Sequence, residues 1–344
     1  MKFKFIVSKW ANFYFFVSNL SEWHFSCRKD YNLMWLKETG PLTEKELISL
    51  NELKKILLKY GFVLAKIFYI YNEKEIWQKL KKNVKKSEFE KIKLAFKILE
   101  IRFESIWKKS GKQLNKRVKL FKLLLNKTEY QDLLNNLYLF FNNKKLNDKI
   151  NIITIASPLS GEAITAAGGA NIDDKHITLE IPDLKINSWE LEYSFGIIAH
   201  EIAHILFKKL NDIKIINKVI SELKAPKKMP KNLIPKQSTM EFMIELIIES
   251  LVPLGYLSKK YFKKFDPIKI SFSKSNLKVL AENFLNYKQN KLSSTHRLRK
   301  FLIWQLYPLI IYQIESKKNL DKDFIKKTIC FVLNTIKNKG SLFI

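Results

Sequence analysis

Two histidines and a glutamate form the one short segment of this sequence whose residue types and spacing indicate chemistry. His200, Glu201 and His204 stand in the order His-Glu-x-x-His inside the apolar run 195–207, which contains no proline. Residues four apart on a helix project from the same face, so both imidazoles can bind one metal ion, and a glutamate beside the first can act as base toward a metal-bound water. With 5 histidines and 33 acidic residues in 344 positions, chance would give this pattern roughly 0.007 times. The segment therefore predicts a zinc site.

A buried polar cluster without a metal is the alternative interpretation of this segment. A histidine on an apolar face is most often a core residue whose ring is hydrogen-bonded. Here the three polar residues are surrounded by apolar ones, at positions 198, 199, 202, 203 and 205. Burying three titratable groups together is costly without a partner, and a metal ion is the partner that suits this spacing. We therefore favour zinc.

The elements that must position this segment are predicted from hydrophobic period and from capping patterns. Residues 41–145 show helical spacing, with three capping boxes that predict helix starts, at Thr43 with Glu46, Ser87 with Glu90, and Thr128 with Gln131. The runs 150–156 and 176–181 predict strands of a small sheet, with glycines at 161, 168 and 169 between them. The helix that carries the histidines is expected to begin at Asn187 or Ser188.

A second helix, predicted to begin at the capping box of Ser238 and Glu241 and to end before Pro253, carries an acidic stripe. It is apolar nearly all round, except that Glu241, Glu245 and Glu249 follow one another at four-residue intervals. Buried carboxylates need a cation beside them, and catalytic zinc sites usually have three protein ligands. The stripe is therefore expected to supply the third ligand, with Glu241 used in its capping box.

With these features, residues 150–255 resemble the gluzincins, the thermolysin-like branch of the HExxH zinc metallopeptidases. The resemblance implies a small sheet with an edge strand, a metal helix, a second helix that brings a glutamate ligand, and hydrolysis of peptide bonds. Glu245 followed by Glu249 is similar to the family's ligand glutamate followed by an acid that orients the first histidine. We therefore prefer Glu245 as ligand and Glu249 as the partner of His200. The rival assignment makes Glu249 the ligand, since Glu249 and the two residues after it resemble the pattern of aminopeptidase-like members.

The resemblance also implies roles for further residues. Glu201 is expected to be the general base, and an oxyanion donor from the later part of the chain is expected to be His296, with Tyr256 and Tyr307 as weaker candidates. The strand 176–181, if it lies at the edge of the cleft, could pair with the backbone of an extended substrate.

Composition limits the other possibilities. The formal charge is +29, but only five of the 62 basic residues are arginines, which favours non-specific attraction to polyanions over specific binding of nucleic acid. The sequence contains no uninterrupted run of 18 or more apolar residues, so a transmembrane span is not expected. The two cysteines, Cys27 and Cys330, form no redox or metal pattern and are typical of a reducing, cytoplasmic setting.

We therefore predict an α+β, predominantly helical fold with a zincin-like core. The expected regions are an N-terminal mainly helical region at 1–148, the zincin-like core at 149–256 and a C-terminal helical region at 257–344. The predicted function is a zinc-dependent peptidase acting on a peptide or protein substrate. The alternatives are a non-catalytic or regulatory zincin-like protein that serves as an interaction scaffold, and a protein that binds polyanions.

Overall fold

A computed structural model describes nine stretches of the chain: 2–24, 26–141, 149–158, 168–182, 188–209, 212–227, 229–230, 238–264 and 294–339. The strands in these stretches are β1 (Lys2–Val7), β2 (Lys149–Ser157), β3 (Gly169–Asp173) and β4 (His176–Pro182). The helices are α1 (Lys9–Leu20), α2 (Lys29–Thr39), α3 (Glu44–Ile70), α4 (Glu73–Asn83), α5 (Lys86–Leu125), α6 (Thr128–Phe140), α7 (Ser188–Lys209), α8 (Asp212–Glu222), α9 (Thr239–Glu249), α10 (Tyr256–Tyr261), α11 (Ser294–Glu315) and α12 (Lys322–Lys339). The predominantly helical α+β class is confirmed.

The chain divides into two compact units. The first consists of Met1–Leu123 with Asn147–Asn187, and the second of Leu124–Leu146 with Ser188–Ile344. This division differs from the three consecutive regions expected from the sequence. The sheet groups with α1 to α5, since β1, at the start of the chain, pairs with β2, whereas α6 belongs to the second unit. The helix that carries the two histidines groups with the helices that follow it.

The sheet of the first unit has the strand order β1-β2-β4-β3. β2 runs parallel to both β1 and β4, whereas β3 is antiparallel to β4. The strand 176–181 is therefore not an edge strand, so the condition under which it could pair with a substrate backbone is not met. Residues 169–173 form a strand that folds back on β4, so β4 is paired with β2 along 176–182 and with β3 along 176–179.

An aromatic core holds the helices of the first unit together. Phe13 on α1 stacks on Phe103 of α5, and Phe68 on α3 stacks on Phe96 of α5. Helix α1 is fixed to the sheet by Asn12, whose side chain donates to the Thr154 carbonyl and accepts from the backbone of Ala156. These contacts fix α1 against β2 and place α3 and α5 over the same core.

The predicted helix starts agree with the structure to within two residues. The capping box of Thr43 and Glu46 is present at the start of α3. Helix α5 begins at Lys86, and the Glu88 carboxylate, rather than that of Glu90, accepts from the backbone before it. Helix α6 has Lys127 at its N-cap, one residue before the expected Thr128. The expected cap at Asn187 lies outside the described residues, and α7 is described from Ser188.

The second unit consists, in its described part, of helices alone. Helix α7 packs against α6, α8 and α9, and α11 packs against α6, α9, α10 and α12. Glu192 anchors the first half of α7, because its carboxylate accepts from the Tyr130 hydroxyl and from the backbone amides of Lys263 and Lys264. Helix α9 begins with the predicted capping box of Ser238 and Glu241. No helix in the described stretches is both long enough and apolar enough to cross a membrane.

Candidate metal centre

His200 and His204 project from the same face of α7, as their four-residue spacing predicts. Their Nε2 atoms are 3.1 Å apart, and the two rings lie with centroids 4.7 Å apart. Both side chains are largely buried among the apolar residues of the helix, with 13% and 16% exposure. Two ring nitrogens that face each other at this distance require a shared proton or a cation near them, because two lone pairs repel.

Helix α9 brings Glu245 to the same place. Its Oε1 lies 3.3 Å from His204 Nε2, and its Oε2 lies 3.8 Å from His200 Nε2. The three residues offer ligand atoms that all lie within 4.8 Å of one another. A tetrahedral zinc ion bound at about 2.0–2.1 Å holds its ligand atoms roughly 3.3 Å apart. The separations of 3.1 and 3.3 Å fit such a site, and the 3.8 Å between His200 and Glu245 is longer. This group could hold a metal ion.

The second ring nitrogen of His200 is held by the backbone. His200 Nδ1 lies 3.2 Å from the carbonyl oxygen of Val252, in the turn that follows α9. A carbonyl only accepts, so Nδ1 carries the proton and the lone pair is on Nε2, which faces His204 and Glu245. The resemblance had assigned this orienting role to Glu249. In the structure, a backbone carbonyl occupies that place.

Gly196 lets the turn after α9 approach α7 closely, and Gly255 lets that turn fold tightly on itself. A Cβ on Gly196, one turn before His200, would lie 2.8 Å from Pro253 Cβ. A Cβ on Gly255 would lie 2.0 Å from the backbone of Ser250. Neither position has room for a side chain, and the close packing brings the Val252 carbonyl within reach of His200.

Glu249 lies one turn beyond Glu245 and faces a cation from α11. Its Oε1 is 3.4 Å from Arg299 Nη2, and Arg299 Nη1 is 3.8 Å from Glu245 Oε2. Glu241, the first member of the stripe, is exposed and its carboxylate is bound in the capping box at Ser238. Of the three glutamates, Glu245 therefore lies beside the two histidines, and Glu249 lies beside Arg299.

Burial dominates the electrostatics of this cluster. It lowers the pKa of His200 to about 4, with a further contribution from the neighbouring His204, and it also lowers the pKa of His204 to about 4. Both imidazoles are therefore neutral at pH 7, which is the form that binds metals. Burial raises the pKa of Glu249 to about 6, although Arg299 acts in the opposite direction.

The remaining predicted residues have different surroundings. Glu201 is buried in α7, with 7% exposure, directly after His200. His296 lies in the first turn of α11, and its side chain is outside the described part of the structure. Tyr256 donates its hydroxyl to Glu315, and the ring of Tyr307 packs edge-on against that of Tyr256. In the structure, the hydroxyl of Tyr256 is therefore used within a contact between α10 and α11.

Two functional groups were missed by the sequence analysis, the Val252 carbonyl and Arg299. A backbone carbonyl gives no signal in a sequence. Arg299 does give one, because an arginine is rare in this lysine-rich chain and this one precedes the apolar run 301–304. A buried arginine close in sequence to apolar residues predicts an anionic partner.

Comparison of the chain with protein-family models, with curated proteins and with solved structures found no match in any of the three.

Proposed function

We propose that this protein is a zinc-dependent peptidase whose metal is bound by His200, His204 and Glu245. The observation that carries the proposal is the convergence of two imidazole Nε2 atoms, 3.1 Å apart, with a carboxylate oxygen 3.3 Å from one of them. These atoms come from two helices and meet in a largely buried place, where three polar groups without a cation would be costly. Two nitrogens and one oxygen are a common ligand set of catalytic zinc.

Each residue of the centre has a separate task in this proposal. His200 and His204 present neutral lone pairs, and the Val252 carbonyl keeps the proton of His200 on Nδ1. Glu201 is the base that takes a proton from the attacking water and passes it to the leaving amine. Its place directly after His200 and its burial support this role. A zinc ion bound here would polarise the scissile carbonyl and lower the pKa of a bound water.

In this proposal, α7 and α9 form a zincin-like pair of helices. The protein is expected to work in a reducing compartment such as the cytoplasm. The free cysteines Cys27 and Cys330 support that compartment. The substrate class is a peptide or protein.

Metal binding is tested first, with two matched variants of α9. The wild-type protein is expected to bind one zinc ion per chain, measured by elemental analysis after dialysis. Glu245→Gln should weaken zinc binding at least tenfold, since it removes a charged ligand. Glu241→Gln is the control, because it makes the same change one turn away at an exposed position. Wild-type protein without zinc uptake, or equal loss in both variants, would refute the metal site.

Catalysis is tested separately with Glu201→Gln, which keeps the size of the side chain and removes the base. Wild type and variant are incubated with a mixed peptide library, and cleavage is followed by mass spectrometry. We expect both proteins to bind one zinc ion and only wild type to cleave, with at least a hundredfold loss in the variant. If both bind zinc and neither cleaves any peptide, the scaffold alternative replaces the peptidase.

A further inference from the structure

Arg299 is nearly completely buried, and its guanidinium lies between two carboxylates of α9. It is 9% exposed, with Nη1 3.8 Å from Glu245 Oε2 and Nη2 3.4 Å from Glu249 Oε1. These separations are those of ion pairs and are longer than most hydrogen bonds. Burying a guanidinium is costly unless anions lie beside it, so these two glutamates account for its position.

The two oxygens of Glu245 have different neighbours. Oε1 lies 3.3 Å from His204 Nε2, whereas Oε2 lies 3.8 Å from both His200 Nε2 and Arg299 Nη1. A carboxylate with one free oxygen can turn and bind a metal through both oxygens. A cation beside Oε2 opposes that turn, because it attracts this oxygen away from the centre. The neighbouring contact to Glu249 fixes the guanidinium itself, since both ends of its planar fork are then used.

We propose that Arg299 is a positioning residue of the metal centre, which holds Oε2 of Glu245 so that this carboxylate binds the metal through Oε1 alone. The inference rests on the proposed metal site and names the group that gives this site its coordination number. It predicts that the arginine affects both the affinity for the metal and the number of ligand atoms around it.

Three variants of α11 test this role in the full-length protein. Arg299→Met removes both the charge and the planar guanidinium, and Arg299→Lys keeps the charge but not the planar group with two terminal nitrogens. Lys300→Met is the control, because it removes a neighbouring cation whose charge acts on Glu249 and which makes no ion pair with Glu245 among the described contacts. Zinc affinity is measured by competition with a chromophoric chelator. The coordination number is followed by the visible absorption of the cobalt(II)-substituted protein, which is strong for four ligands and weaker for five.

We expect Arg299→Met to weaken zinc binding ten- to a hundredfold and to lower the visible absorption of bound cobalt. Arg299→Lys should lie between wild type and Arg299→Met in both measurements, and Lys300→Met should match wild type. If Arg299→Met does not fold, Arg299→Lys carries the test. Wild-type affinity together with a wild-type spectrum in the folded Arg299 variants overturns the inference and leaves the metal site in place. Wild-type protein that binds neither zinc nor cobalt overturns the metal site as well.

Discussion

Replacing Glu180 with glutamine is expected to remove most of the pH dependence of the stability of the first unit between pH 4.5 and 7. Glu180 lies on β4, and its carboxyl accepts a hydrogen bond of 2.6 Å from the Tyr31 hydroxyl. Burial raises the pKa of this carboxyl from 4.5 to about 7. The hydrogen bond from Tyr31 and the charge of Arg28 oppose the rise without cancelling it.

The sign and size of the effect follow from proton linkage. Between pH 4.5 and 7 the folded protein holds a proton on Glu180 that the unfolded chain has lost. Stability contributed by this carboxyl is therefore fully present below pH 4.5 and is lost as the pH rises to 7. Each pH unit is worth about 1.4 kcal/mol, so the free energy of unfolding should fall by about 3 kcal/mol across this interval.

The assay is urea unfolding of wild type and Glu180→Gln at half-unit steps from pH 4.5 to 8. The difference between the two proteins isolates Glu180, because every other titrating group is common to both. Glu100→Gln, an exposed position on α5, is the control and should follow the wild-type curve. A constant difference between wild type and Glu180→Gln over the whole range would refute the reasoning, since it would show that the carboxyl is ionised throughout.

The structure also predicts the direction of three further effects, one on the pH dependence of zinc affinity and two on the stability of the first unit. Because the pKa values of His200 and His204 are lowered to about 4, zinc affinity measured by chelator competition should change little between pH 8 and 6 and fall steeply below pH 4.5; a fall centred near pH 6.5 would contradict the burial argument. Arg102→Met breaks a buried ion pair with Glu46 and should destabilise the first unit by about 3 kcal/mol in urea unfolding, whereas a loss below about 1 kcal/mol would show that the pair is solvated. Asn12→Ala removes two hydrogen bonds to β2 and should lower the free energy of unfolding by about 2 kcal/mol, and protection of β2 amides from hydrogen exchange should fall with it.

The features that could be predicted from the sequence are helix faces and helix starts, which depend on residues close together in the chain. The spacing of His200 and His204 placed both rings on one helical face, and the pattern of Ser238 and Glu241 placed the start of α9. Once those two helices are defined, the four-residue interval limits the third ligand to a few carboxylates. That limit left Glu245 and Glu249 as alternatives, and only the packing of α9 on α7 separates them.

What the sequence could not give depends on contacts between distant segments. Strand β1 pairs with β2, so that Ile6 lies beside Ile153, and no local pattern in residues 2–7 specifies that partner. The position of β4 inside the sheet depends in the same way on β3 folding back against it. Arg299 lies 54 positions after Glu245, so the sequence can indicate that this arginine has an anionic partner but not which carboxylate it is.

The charges around the centre explain why the two carboxylates of α9 have different surroundings. Both imidazoles are neutral, so the positive charge that faces Glu245 and Glu249 in the described structure comes from α11. That charge does not fully compensate them, because burial still raises the pKa of Glu249 above its ordinary value and Glu245 adds to the rise. A divalent cation at the converging nitrogens would supply the remaining charge next to Oε1 of Glu245, while Arg299 lies between Oε2 of Glu245 and Oε1 of Glu249. In the proposed centre, two cations would therefore compensate the acidic stripe, the metal at Oε1 of Glu245 and Arg299 at Glu249 and at Oε2 of Glu245.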